Sequence, residues 1–146
     1  MNNAFENDLC IQIVDSDSGV CRSLKSLFHG TGLKVFCYAS AEEFLNKGAL
    51  RRGCAIVELT LGGMSGIALQ QELIKRGSAI TVVILSADGD VSQAVMAMRL
   101  GAADFITKPF APEPLKTQIM ALIGALSLSV MGGAERFLLF RFICIF

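Results

Sequence analysis

Five times along its 146 residues the chain alternates a short β-branched or aromatic run with a segment of helical spacing. The runs are "LCIQIV" (9–14), "LKVFCY" (33–38), "CAIVEL" (54–59), "ITVVILS" (80–86) and "ADFIT" (103–107). Three of them show no polar–apolar alternation, the pattern of strands covered on both faces, and therefore of a parallel sheet. Between the runs, apolar residues recur on single helical stripes. Val20, Leu24, Leu27 and Phe28 form one, and Val91, Ala94, Val95 and Met98 another. Leu115, Ile119, Leu122, Ile123 and Leu126 form a third. Ser40 ahead of "AEEF" reads as a helix cap, with Glu43 as its partner in a capping box. Alternating β and α units with right-handed crossovers specify an α/β fold, a doubly wound five-stranded parallel sheet in a three-layer sandwich.

Composition narrows the function. Thirteen basic residues balance thirteen acidic ones, so nothing draws the chain to nucleic acid and direct DNA binding is disfavoured. Hydrophobic residues make up 53 % and charged residues 18 %, which is the composition of a packed domain. The five cysteines (10, 21, 37, 54 and 144) contain no CxxC pair and no metal-binding spacing with the single histidine, His29. They read as reduced, apolar packing groups in a reducing, cytoplasmic compartment. The first ten residues, "MNNAFENDLC", lack the basic start and apolar stretch of a signal peptide. His29 falls near the end of the first helical segment, where a cation suits the helix dipole. There is no nucleophile–base pair, no phosphate-binding glycine loop and no zinc pattern, so an enzyme is not expected.

In a doubly wound sheet the ligand site lies beyond the carboxyl ends of the strands. Those ends carry Asp15-Ser16-Asp17, Glu58, Ser86 and Lys108. Each has a local alternative: Asp15 and Asp17 as helix caps, Glu58 as a loop acid, Ser86 as a turn residue, Lys108 as a surface lysine. Together, acids, a hydroxyl and a lysine at one edge match what a divalent cation and a phosphoryl group require.

The stretches "IVDSDSGV", "VFCYASAEEFL", "MSGIALQQEL" and above all "VVILSADGDVSQAVMAMRLGAADFITKPF" resemble the receiver domain of two-component response regulators. The likeness runs from about Leu9 to Leu126 and is strongest to the group in which a receiver precedes a helix-turn-helix output domain. It implies a flavodoxin-like fold, a phosphorelay and transcription-control setting, and a sensor histidine kinase or another signalling protein as partner. Residues 91–126 match the family's usual contact surface and are a candidate homodimer face. By the same resemblance, Asp15 stands at the first place of the family's acidic pair and Ser16 at the second, where an Asp normally ligates magnesium. Asp17 matches a secondary acidic position. Glu58 replaces the phosphoacceptor Asp, Ser86 matches the conserved hydroxyl, Lys108 the invariant lysine, and Phe105 the switch aromatic. Lys108-Pro109 matches the family's cis peptide bond. Leu61-Gly62-Gly63 stands where Met-Pro-Gly is usual.

Two of these departures bear on chemistry. Ser16 removes a full charge from a magnesium site, and magnesium demands near-octahedral oxygen ligands. Asp15 and Asp17 would hold the ion only weakly. Glu58 carries its carboxylate about one bond, ~1.5 Å, further than Asp does. Displacements of that size cost roughly 10²-fold in a positioned reaction. The expected function is therefore a receiver independent of phosphorylation. One version has Glu58 mimicking a phosphoryl group, paired with Lys108 and accepting a hydrogen bond from Ser86 that holds Phe105 inward. Others are a non-switching pseudo-receiver that acts by contact, the remnant of a truncated regulator, and a weak magnesium binder that responds to a kinase through another residue.

The expected domain spans residues 1–126, followed by an atypical apolar tail, 127–146, with no output domain. No charge occurs from Gln118 to Ala134, and "FLLFRFICIF" closes the chain. A membrane anchor is disfavoured: the closing segment falls short of the roughly 20 apolar residues of a span, and Arg141 interrupts it.

Overall fold

The computed structural model describes residues 8–88 and 90–128. Ten elements alternate: β1 Leu9–Val14, α1 Ser18–Leu27, β2 Lys34–Tyr38, α2 Ala41–Lys47, β3 Arg52–Glu58, α3 Gly66–Lys75, β4 Thr81–Ser86, α4 Val91–Arg99, β5 Asp104–Thr107 and α5 Pro112–Ser127. The strands form one parallel sheet in the order β2-β1-β3-β4-β5. The five expected runs all become strands. The largest boundary shift is at β3, which starts two residues earlier than expected because Arg52 and Gly53 pair with Leu9 and Cys10.

Alternate residues of each strand feed separate cores. Ile11, Ile13, Ile56, Val83 and Leu85 meet Leu24 and Phe28 of α1 and Leu115, Ile119, Leu122 and Ile123 of α5. Val14, Ala55, Val57 and Ile84 meet Phe44 of α2, Leu69 and Leu73 of α3, and Ala97 of α4. Both faces of β1, β3 and β4 are thus buried, which is why their interiors run almost wholly apolar, the exception being Gln12 of β1, whose side-chain carbonyl accepts from the Tyr38 hydroxyl at 2.9 Å. Each large side chain removed from water contributes about 1.5–3 kcal/mol.

Local chemistry starts the helices. The side chains of Asp17, Ser40, Ser65 and Asp90 each accept a hydrogen bond from a first-turn backbone N–H. At α2, Glu43 N–H donates to Ser40 Oγ, and the Glu43 carboxylate accepts from Ala39 N–H, one residue before the cap. Proline opens α5. Gly53 is required where β3 meets β1: its φ is +136°, and a Cβ there would sit 1.9 Å from the Cys10 carbonyl oxygen.

Three expectations change. The apolar stripe of α4 does not face the core: Val91, Val95 and Met98 are exposed, and α4 is buried through Ala97. Periodicity locates an apolar face and leaves open what covers it. The cysteines are not all free: Cys21 of α1 and Cys37 of β2 form a disulfide, with Cα atoms 6.2 Å apart. Val35 and Cys37 point to the α1 side of β2, a juxtaposition that a 16-residue separation does not announce. Cys10 and Cys54 are free and buried as expected. Cys144 and the segment 129–146, and with them most of the expected tail, lie outside the described residues. The third change, at Ser86, belongs to the site.

Candidate functional site

The strand order reverses between β1 and β3, and a doubly wound sheet opens its crevice at such a switch point. Val14 pairs with Val57, so the next residues, Asp15 and Glu58, leave the sheet side by side. Glu58 is in register with Leu85, and Ser86 with Thr107, which brings Ser86 and Lys108 to the same edge. The Lys108 N–H donates to the Ser86 carbonyl at 2.7 Å, and the Lys108-Pro109 bond is cis, as the resemblance implied. Gly66 lets α3 start close to the strand end: a Cβ there would meet the Glu58 carbonyl oxygen at 2.8 Å and the Leu59 Cα at 3.0 Å.

Three charged side chains meet at this crevice. Lys108 Nζ donates to Asp15 Oδ2 at 2.8 Å and forms an ion pair with Glu58 Oε2. The carboxylates are nearly enclosed, with side chains 3 % and 8 % exposed, against 20 % for Lys108. Their remaining oxygens are also used: Asp15 Oδ1 accepts from Asp17 N–H at 2.8 Å, and Glu58 Oε1 from Thr60 N–H at 3.3 Å. Burial alone would pull the Lys108 pKa down. Hydrogen bonds and charge from Asp15 and Glu58 outweigh it and hold the ammonium above its ordinary value of 10.5. Two carboxylates against one ammonium leave the cluster one negative charge.

The other expected site residues are engaged locally. Asp17 is exposed, and its Oδ1 accepts from Gly19 N–H at 2.8 Å, capping α1. Ser16 is exposed. Ser86 is buried, but its hydroxyl donates to the Asp88 carbonyl at 2.7 Å and accepts from Asp88 N–H at 3.1 Å. A hydroxyl has one proton to give, so the expected hydrogen bond from Ser86 to Glu58 is not made. Phe105 is half-buried against the core on the α2–α4 side.

This donor set does not fit magnesium as placed. Among the described residues no group of three or more His, Cys, Asp or Glu side chains is arranged to hold a metal ion. Asp17 caps its helix through Oδ1, and Lys108 supplies the positive charge between Asp15 and Glu58.

One contributor was not foreseen. Glu42 of α2 reaches across to accept from Met64 N–H at 3.1 Å, tying down the glycine-containing loop that follows Glu58. Its own backbone N–H and that of Met64 hold its carboxyl below the usual range. Nothing in "AEEF" signals this contact, because it joins residues 22 apart.

Residues 11–120 match the family model of the response regulator receiver domain. The chain belongs to that family. This receiver is 41 % identical over 111 residues to the response regulator protein TmoT of Ectopseudomonas mendocina, covering 75 % of this chain and 50 % of that protein. It is 39 % identical over 117 residues to the transcriptional regulatory protein FixJ of Azorhizobium caulinodans, covering 80 % and 56 %. The receiver thus spans about half the length of the curated relatives it matches. Among solved structures, full-length FixJ from B. japonicum superposes with a TM-score of 0.75 at 30 % identity, over 85 % of this chain and 61 % of that one. A response regulator receiver protein from Pseudoalteromonas atlantica gives 0.71 at 32 % identity, over 80 % and 98 %. Among the described residues no helix is long and apolar enough to cross a membrane.

Proposed function

We propose that this receiver works without aspartyl phosphorylation, as a non-enzymatic, cytoplasmic contact module in a two-component, transcription-control setting. The observation that carries the reading is the closed ion cluster. Glu58, at the position that the family uses to accept phosphate, is nearly enclosed and paired with Lys108, which Asp15 holds from the other side. An incoming phosphoryl donor would meet a carboxylate one methylene too long, a lysine already bridged, and a neighbouring acid, Asp15, already drawn to that lysine. A charged group that would otherwise bind phosphate is satisfied within the protein.

Of the phosphorylation-independent versions, a non-switching module has the better support. Imitation of a phosphoryl group calls for the Ser86 hydroxyl to turn to Glu58, and that hydroxyl is held by Asp88. Contact is then made through surfaces that need no switch. The exposed Val91, Val95, Met96 and Met98 of α4, within the 91–126 face, offer one to a sensor kinase, another signalling protein or a second copy.

The test is labelling by acetyl phosphate with magnesium, run beside a Glu58→Asp, Ser16→Asp double variant. Label on the double variant alone is the expected result. Label on the natural protein would mean a live switch and would overturn the reading.

A further inference from the structure

We propose that Cys21 and Cys37 are a reversible thiol–disulfide pair that clamps the acidic loop 15–17, with a low-molecular-weight disulfide as the oxidising partner. The two residues come from different elements, the first turn of α1 and the penultimate position of β2, and Cys37 packs against the core that α1 covers. Their Cα separation of 6.2 Å lies within the roughly 4.4–6.8 Å that a disulfide spans. Both are half-buried, within reach of a small reagent. The other described cysteines are unlike them. Cys10 and Cys54 lie in the sheet, and burial pushes the Cys10 thiol up and the Cys54 thiol up to about 12. A thiol kept protonated is a poor nucleophile, so the oxidation is selective.

The position of the pair gives it a consequence. Asp15 N–H donates to the Tyr38 carbonyl at 3.0 Å, and Tyr38 follows Cys37. Cys21 N–H donates to the Asp17 carbonyl at 3.3 Å. The disulfide therefore closes a ring: Cys37, Tyr38, across to Asp15, Ser16 and Asp17, across to Cys21, and back through the sulfurs. Oxidation holds both ends of the loop that presents Asp15 to Lys108, and reduction leaves them to the two hydrogen bonds and to the packing of α1 alone.

The exchange balances. One protein thiolate attacks a sulfur of the small disulfide RSSR, a mixed disulfide forms, and RS⁻ leaves. The second protein thiolate then attacks the protein sulfur of that mixed disulfide and expels the second RS⁻. The two protein protons end on two RSH, and two electrons pass from the protein to the small disulfide. In a reducing compartment the resting state is the dithiol, and the bond marks an oxidising episode.

The test equilibrates the full chain with mixtures of oxidised and reduced glutathione, traps free thiols by alkylation, and maps the peptides. The expected link joins Cys21 to Cys37, appears with oxidised glutathione, is reversed by excess reduced glutathione, and slows amide exchange over residues 15–21 severalfold. Closing a loop of this length should also shift the unfolding equilibrium by roughly a hundredfold toward the folded state. Cys21→Ser and Cys37→Ser should each abolish the link and both effects; if either variant fails to fold, the wild-type map and exchange decide alone. Absence of the link at every ratio, links through Cys10, Cys54 or Cys144 in its place, or a link that leaves exchange unchanged would each overturn the proposal.

Discussion

The ends of β1, β3 and β5 and the turns that open at Asp17 and Ser86 carry the same kinds of side chain at the same edge, yet use them differently. At the strand ends, Asp15, Glu58 and Lys108 bind one another across three chain segments. Asp17, in the loop after β1, and Ser86, the last residue of β4, instead bind backbone only two residues away. The difference follows from charge and burial together, since Ser86 is as enclosed as the carboxylates but carries no charge. A carboxylate enclosed at a strand end has lost its water and must find a counter-charge. An exposed Asp, or a buried but uncharged Ser, is satisfied by the nearest free N–H or carbonyl. A receiver's inventory of acids, hydroxyl and lysine is thus split here into an ion cluster and a pair of local turns.

That contrast should appear in stability. Lys108→Met leaves two enclosed carboxylates without a counter-ion and should cost about 3–5 kcal/mol, measured by urea denaturation. Gly66→Ala should come next, at about 1–3 kcal/mol, because its methyl group presses on backbone at Glu58 and Leu59 and forces α3 away from the strand end. Asp17→Ala removes only a cap and should cost about 1 kcal/mol. Ser86→Ala should cost a similar or smaller amount, by loss of its turn hydrogen bonds to Asp88. If Asp17→Ala proved as damaging as Lys108→Met, the division between cluster and loop would fail.

The pH dependence sharpens the same point. The Lys108 pKa is raised above its ordinary 10.5, so the stability it contributes is complete below that value and is lost as pH rises through the folded-state value. The gap in unfolding free energy that Lys108 itself makes between wild type and Lys108→Met should therefore hold from neutral pH up to 10.5 and narrow only above it. Narrowing on the neutral side of 10.5 would show that the ammonium is not held as described.

Much of this was legible in the residues. The five strands and the edge at which the site gathers follow from apolar runs ending in Asp15, Glu58, Ser86 and Lys108, since strand ends and sheet topology are local and regular. The Ser40 cap of α2 was equally local. What escaped was set by tertiary neighbours. Ser86 could bond to Glu58 or to Asp88, and only the path of the loop after β4 decides. Val91, Val95 and Met98 repeat as core residues do, but α4 packs through the smaller Ala97. Cys21 and Cys37 meet because α1 crosses over β2, and Glu42 reaches Met64 because α2 lies beside the loop after β3.

A double-mutant cycle on Glu58→Gln and Lys108→Met, read as unfolding free energies in urea, tests the ion cluster most directly. The account predicts a coupling energy of about 1–3 kcal/mol, with Lys108→Met much less harmful once Glu58 is neutral. Additive effects, with a coupling near zero, would mean that Glu58 and Lys108 do not hold each other and would contradict it.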